Sequence, residues 1–594
     1  MKKTVKSALE AFTAWKILPL VFFIVFPALI VRVKFVFAVP EAATLWPWPY
    51  FGDTRSWWKA VSVVGLGAWI AVYAALLPLS GWRPHFRGVG LLVGLAASAT
   101  LISALLSPFP RTAWLGYTGL YEGALVLLSY LIAIWYAAEA VEAGKAQWNL
   151  VRLIGCVGTL ESVHGLFEGF GCNFWMTSLG RWLMGGGDRG ASFTFADSSM
   201  AYGTVYQPNH YGMLMAMLTM LALGMVRVES DKKWKAFWFL HVILGLAAVV
   251  FCNSRTALAI CGCVAAVYIL GLVNGVGRRG RNSLWAGGSV LLLVIALFFA
   301  GIAAGWVKAG VLGNGVRRVV GRMRDTFVSG REYYLESAEL RNGSIVLTTA
   351  DGTAELARHG KVDWSVGWVG DDARSEKLSF TRLGRTGHVA EISVLRGGKI
   401  VLSDNGGVRV DIESATLWYY LLDDELYAVD HKGCLYPEMP SADVVRFGGL
   451  EKFLGGRGQT WGFGLALVRK NPWFGTGPGS FGLVFPNHEL LIKQRYLESL
   501  DEDKGHGVWV TFFVQLGIAG TLSYAAVIGF VLLRKPWTVS PLGVPLVMGI
   551  AAYLLGAVTN DSTVGVTPVF CVLLGLAVSL KRNVPDQNET IRCT

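Results

Sequence analysis

Val89-Gly90-Leu91-Leu92-Val93-Gly94-Leu95-Ala96-Ala97-Ser98-Ala99-Thr100-Leu101-Ile102-Ser103-Ala104-Leu105-Leu106 runs for 18 residues without a charge. A helix rises about 1.5 Å per residue, so roughly 20 such residues cross the ~30 Å hydrocarbon core of a bilayer. This stretch reads as a transmembrane helix. Eleven further apolar runs resemble it, with cores near 17–31, 58–79, 124–138, 151–167, 211–226, 237–252, 257–273, 284–307, 510–533, 542–558 and 566–580. The first lies behind Lys2, Lys3 and Lys6, but it is longer than a signal-peptide core and bends at Pro27, so it is read as a retained anchor. The fold class expected is an α-helical polytopic membrane protein with about 12 transmembrane helices.

Composition agrees. Of the 594 residues, 53% are hydrophobic and only 16% charged, against about 25% charged in soluble domains. Eight cysteines in a chain of this length exclude a disulfide-stapled scaffold. The formal charge of +12 is not a nucleic-acid signal here, because basic residues collect in the cytoplasmic loops of polytopic proteins. One side of the alternating connections holds Lys2, Lys3, Lys6, Arg83, Arg87, Lys145, Arg227, Lys232, Lys233, Lys235, Arg278, Arg279, Arg281, Arg534, Lys535, Lys581, Arg582 and Arg592. The other holds Lys34, Arg55, Arg111, Arg181, Arg189 and Arg255. The positive-inside rule then puts both termini in the cytoplasm and the long stretch between spans nine and ten outside.

That stretch changes character. After spans one to nine (1–307) comes a basic segment (308–331) containing Arg317, Arg318, Arg322, Arg324 and Arg331, whose plain reading is a headgroup-contacting or solvated helix. Residues 332–447 alternate polar and apolar positions between glycines, which predicts a small β-rich extracytoplasmic domain inserted between helices 9 and 10, with sandwich-like packing. Leu340-Arg341-Asn342-Gly343-Ser344-Ile345-Val346-Leu347 is echoed by Leu395-Arg396-Gly397-Gly398-Lys399-Ile400-Val401-Leu402, two copies being too few for a propeller or solenoid. A Gly/Pro-rich loop region (448–505) precedes spans ten to twelve and a cytoplasmic tail (506–594).

No Walker A loop, His-Glu-x-x-His, Cys-x-x-Cys or nucleophile elbow occurs, and no acidic pair demands a metal. Cys172 and Cys434 are both placed outside, which allows a disulfide between them without requiring one. The 23 tryptophans read as interfacial belts. Glu161, His164 and Glu168 share one face of span five, either lining a cavity or satisfying one another. Polar residues otherwise gather at the outer membrane edge. Asn253-Ser254-Arg255-Thr256 sits between spans seven and eight, Gln207-Pro208-Asn209-His210 opens span six after a loop holding Arg189, and Arg457 and His506 flank Asn471-Pro472-Trp473-Phe474-Gly475-Thr476-Gly477-Pro478-Gly479. An Arg at a membrane edge anchors topology or faces an anion, and a His at a span end is as readily structural as functional.

These pieces, in this order, resemble the O-antigen ligase and polymerase family of bacterial membrane glycosyltransferases. The matching elements are Pro208-Asn209, Ser254-Arg255, Arg457 with Trp461, the Pro-x-x-Gly-x-Gly of Pro472 to Gly477, and His506 followed by Leu516-Gly517-Ile518. Only the β insertion falls outside the likeness. One departure is Gly507, where the family carries Asn or another small polar residue, so a residue orienting the imidazole would come from elsewhere. The resemblance implies transfer of a glycan from an undecaprenyl-diphosphate carrier to a glycan, lipid or protein acceptor at the outer face of the bacterial cytoplasmic membrane, without metal or other cofactor. Arg255 and Arg457 would clamp the diphosphate, since guanidinium is a permanent, forked donor matched to phosphate oxygens. His506 would act as base, its ordinary pKa near 6.5 suiting proton abstraction at neutral pH. Arg189, Asn209 and Arg322 are secondary candidates. Ligase and polymerase stay open as alternatives. A lipid-glycan flippase is the competing class, although transporters place their polar residues at the midplane. Beyond these substrates and membrane lipids no partner is expected, nucleic acid included.

Overall fold

The computed structural model describes residues 15–37, 50–53, 56–80, 88–142, 144–185, 200–205, 207–275, 457–486 and 503–580, and, in the β region, 335–349, 351–360, 363–369, 376–383, 387–412, 415–429, 435–438 and 443–445. Span nine, Arg189, Arg322 and Cys434 lie outside the described residues.

The described protein is mostly helical. Leu18–Leu29 forms α1, and a two-stranded ribbon of β1 (Lys34–Phe37) and β2 (Tyr50–Asp53) follows it. Next come α2 (Trp57–Leu76), α3 (Val89–Leu106), the short α4 (Pro110–Leu115), α5 (Ala124–Ala140), α6 (Lys145–Gly169), α7 (Ser178–Met184), α8 (Pro208–Val228), α9 (Lys232–Phe251) and α10 (Arg255–Gly275). After the β region come α11 (Arg457–Val468), α12 (Phe481–Val484), α13 (Val508–Leu533), α14 (Gly543–Gly556) and α15 (Thr567–Ser579). Among the described residues 6 helices are long and apolar enough to cross a membrane: α2, α3, α6, α8, α9 and α13 with its extension. Five shorter apolar helices, α1, α5, α10, α14 and α15, pack with them.

Burial sorts these helices into layers. Every residue of α15 is buried, and α8 is buried over most of its length, as expected of helices apolar all round at the centre of a bundle. The outer helices instead expose large aliphatic side chains, among them Leu91, Leu95 and Leu105 of α3, Val72 of α2 and Leu160 of α6. Such an apolar exterior suits hydrocarbon and not water.

The β region is a separate body. Strands β3 (Leu335–Arg341), β4 (Ser344–Thr349), β5 (Gly352–Arg358), β6 (Trp364–Trp368) and β7 (Glu376–Lys377) form a five-stranded antiparallel meander. Strands β8 (Thr381–Leu383), β9 (Gly387–Ile392), β10 (Gly398–Ser403), β11 (Gly407–Ile412), β12 (Ala415–Leu422), β13 (Glu425–Val429) and β14 (Leu435–Tyr436) form a seven-stranded one. Both sheets contribute to one apolar core, with Ile345, Leu356 and Val366 from the first and Ile400, Val410 and Leu417 from the second. The repeated octapeptide marks equivalent places, since each copy spans a hairpin turn. In the first copy Arg341 pairs with Ser344 across Asn342-Gly343, whose positive φ angles (50° and 76°) match the type I′ turn that Asn-Gly favours.

Candidate functional site

The bundle brings four helix ends together. α8 opens at Pro208-Asn209, with Pro in the first turn where a missing N–H costs nothing. Beside it, Asn253 takes a left-handed φ of 54° and Ser254 Oγ accepts the Ala257 N–H at 3.4 Å, starting α10 at Arg255. The two starts touch: a Cβ on Gly212 of α8 would stand 3.0 Å from Ser254 Cβ and 2.9 Å from Ala257 Cβ. Gly556, at the end of α14, lies against both Met213 of α8 and Ile260 of α10. The next residue, Ala557, accepts the Val508 N–H at 2.9 Å and so ties down the start of α13, just beyond His506.

His506 holds a left-handed φ of 49°, a strained conformation for a side-chain-bearing residue, and its side chain is 35% exposed. Its Nδ1 stands 3.8 Å from Oδ2 of Asp561, which is 6% exposed. Asp561 Oδ1 accepts the Thr511 hydroxyl at 2.5 Å and the Gly507 N–H at 3.3 Å. Oδ2 makes no hydrogen bond among the described residues, so the imidazole is the group it faces. At 3.8 Å this is a charge contact and not a hydrogen bond, with the carboxylate buried beside a partly exposed imidazole. Gly507 also has a physical reason. A Cβ there would stand 2.7 Å from the Val558 carbonyl and 3.4 Å from Trp461 Nε1, leaving no room for the small polar residue the resemblance expects. The carboxylate that stands beside the imidazole comes instead from the turn before α15.

Trp461 belongs to α11, one turn after Arg457 at its start, and α11 packs on α13. Arg457 is thereby carried on an element that touches the residue next to His506. Among the sequence candidates, the structure therefore gathers Asn209, Arg255, Arg457 and His506 at one end of the bundle. Of the three residues on the shared face, His164 stands 3.5 Å from Glu168, and the two carboxylates meet a neighbouring segment. Glu161 accepts the Thr204 N–H (3.2 Å) and hydroxyl (2.7 Å), and Glu168 accepts the Tyr202 and Gly203 N–H groups (2.9 and 2.7 Å). Lys59 joins them by donating to the Pro27 and Ala28 carbonyls at the end of α1 (2.8 and 2.9 Å). This network anchors the segment that leads toward Asn209.

The Pro-x-x-Gly-x-Gly loop has a structural task that sequence did not reveal. α13 breaks at Gly517 (φ 65°, ψ −168°), and the loop fills the break. The Thr476 and Gly477 N–H groups donate to the Val514 and Gln515 carbonyls (3.0 and 2.9 Å), while the Ile518 and Ala519 N–H groups donate to the Pro472 and Trp473 carbonyls (2.7 and 3.0 Å). Backbone groups freed inside a membrane-depth helix are thus satisfied by protein. Loop and kink together fix the half of α13 that begins beside His506.

A second carboxyl borders the site. Glu122, in the loop before α5, accepts the Ser562 hydroxyl at 2.7 Å and the Tyr130 hydroxyl at 2.8 Å, and it lines a small cavity with Asp503, Lys504, Thr511 and Asp561. Burial pushes its carboxyl up to about 7, with Asp561 adding to the rise and the two hydroxyl donors and Lys504 opposing it. A carboxyl whose folded pKa is raised contributes stability at low pH that is lost as pH rises through that value. Glu122→Gln is therefore expected to gain in melting temperature over the parent as pH goes from 5 to 8. A difference that stays flat across this range would mean that Glu122 titrates as an ordinary carboxylate.

Among the described residues no three His, Cys, Asp or Glu side chains converge as metal ligands would. No protein-family model matches the chain, and no curated protein matches it, so the chemistry of these residues carries the functional reading.

Proposed function

We propose that the protein is a membrane glycosyltransferase of the O-antigen ligase and polymerase type. In this reading twelve spans leave both termini in the cytoplasm, the β region is an insertion between the ninth and tenth, and the site faces outward. The observation that carries it is the His506–Asp561 pair standing at the same end of the bundle as Arg255 and as α11, which bears Arg457.

In the reaction, an acceptor hydroxyl gives its proton to His506 Nε2 as its oxygen attacks the anomeric carbon of the donor glycan. The C–O bond to the lipid diphosphate breaks, and the leaving oxygen keeps the electron pair. Arg255 and Arg457 stabilise the charge that develops there, and Asp561 stabilises the imidazolium. Single displacement inverts the anomeric centre. Preference within the family goes to the ligase, because a folded β unit close in sequence to the loop is suited to recognising an acceptor.

The test uses purified protein in nanodiscs with a defined undecaprenyl-diphosphate oligosaccharide. Lipid diphosphate released only when an acceptor is added supports the ligase; lengthening of the glycan on its carrier would make the protein a polymerase. Movement of intact donor across the bilayer, with no bond broken, would sink both. Since the guanidinium groups take the place of a bridging cation, activity is expected to survive EDTA. Loss on chelation that Mg²⁺ or Mn²⁺ restores would contradict the arginine clamp.

A further inference from the structure

The seven-stranded sheet has one face in the core and one face open, and the open face is unusual. Strand β12 alternates strictly: Leu417 and Tyr419 point inward and are 1% exposed, while Trp418 is 52% exposed and Tyr420 stands beside it on the outer face. Register places Arg409 of β11 opposite Trp418, and Tyr427 of β13 opposite Tyr420. Arg409, Trp418 and Tyr420, with Ser403 from the end of β10 and Asn405 from the β10–β11 turn, border an open groove of about 520 Å³.

The aromatic ring at its centre is propped. The Thr416 hydroxyl donates to Asp411 at 2.9 Å, and Asp411 in turn holds the Arg409 guanidinium at 2.9 Å. That guanidinium lies 5.6 Å from the centroid of the Trp418 ring. One face of the indole is thus braced by a cation that is itself fixed, which leaves the rest of a large apolar ring presented to solvent at little further entropy cost. Tyr427 is steadied in the same way, its hydroxyl donating to Glu425 at 2.8 Å.

We propose that this groove is a binding site for a neutral oligosaccharide. A pyranose ring offers an apolar, slightly electropositive face of C–H groups and an equatorial rim of hydroxyls. The first matches the negative face of an indole or phenol ring, and the second matches short polar side chains such as Ser403 and Asn405 in the same lining. Charge decides against the other occupants of an exposed aromatic face. Among the described residues Arg409 is the one charged side chain that lines the groove, and it is already neutralised by Asp411. An anionic lipid surface, a nucleic acid or an acidic polymer therefore finds no unpaired positive charge in the lining to hold it. The site lies on a different element from His506 and uses none of the residues assigned to transfer, so it stands or falls separately from the reaction proposed above.

The experiment uses the full chain in phosphatidylcholine nanodiscs, free of sugar-headed detergent, over an immobilised panel of neutral gluco-, galacto-, manno-, rhamno- and N-acetylglucosamine oligosaccharides. The full chain is expected to be retained by at least one of them. Trp418→Ala and Tyr420→Ala each weaken that retention tenfold or more, Trp418→Phe restores most of it, and His506→Ala leaves it unchanged. Both Ala positions lie on the open face, and unchanged melting of each variant confirms that the sheet is intact. Retention by no member of the panel overturns the proposal, as does retention indifferent to Trp418→Ala. So does a Trp418→Ala defect that appears in binding to phosphatidylglycerol vesicles instead.

Discussion

His506→Ala is expected to lower transfer by about 10²–10⁴-fold, the range that a positioned general base contributes, while binding of the lipid-diphosphate donor stays within twofold or so. The loss falls on kcat and not on KM, because the imidazole takes its proton only as the acceptor oxygen attacks. Asp561→Asn tests the pair more finely. The amide oxygen can still accept from Thr511 and from the Gly507 N–H, so the turn between α14 and α15 keeps its shape, yet the negative charge 3.8 Å from the imidazole is gone. A kcat loss of about 10²-fold or more with unchanged melting is the expected result, by analogy with histidine bases supported by a carboxylate. Turnover near normal in His506→Ala would leave the arginines without a base to serve, and turnover near normal in Asp561→Asn would remove the carboxylate from the mechanism.

Much of the helical part was legible because hydropathy is a local property. The run 89–106 became α3 with the same ends, and the runs near 124–138, 257–273 and 566–580 became α5, α10 and α15 within a few residues. The hairpin turns of the β region were equally local, announced by Asn342-Gly343 and its echo. Asp561 was not legible. It sits 55 positions after His506 in Thr559-Asn560-Asp561-Ser562, which reads as an ordinary polar break between two spans, and only packing of α13 against the end of α14 makes the two neighbours. Glu161 and Glu168 showed the opposite pattern. Their shared helical face was evident from spacing, but what they meet, the N–H groups of 202–204, lies 34 to 43 residues downstream. A charged residue at the end of a short apolar run was the available signal for Asp561, and it marks too many residues to single one out.

The break in α13 was also invisible, since Leu516-Gly517-Ile518 lies within one continuous apolar run, and it supports the second large expectation. Gly517→Ala and Gly475→Ala should each abolish recovery of monodisperse protein, or leave protein that melts far below the parent. Both glycines have φ of 65°, where a Cβ costs about 1–3 kcal/mol before any contact is considered. The contacts are severe. On Gly517 the added carbon would stand 2.4 Å from the Trp473 carbonyl carbon, and on Gly475 it would stand 2.4 Å from that of Gln515. Neither obstacle is the end of a flexible side chain; each is backbone of the opposing partner, so relief requires loop and helix to separate. Separation breaks the four N–H to carbonyl bonds that seal the kink, in surroundings where lost backbone partners are not replaced by water. A cost above about 4 kcal/mol follows, the range reserved for disrupted buried networks. Gly529→Ala is the control in the same helix. Nothing lies within 4 Å of its added carbon, and Ala is the better helix former by up to about 1 kcal/mol, so that variant should match or exceed the parent. If Gly517→Ala behaves as Gly529→Ala does, the loop does not hold the kink. If instead it folds but loses transfer with donor binding intact, the kink is what sets the first half of α13, and with it His506, against the acceptor.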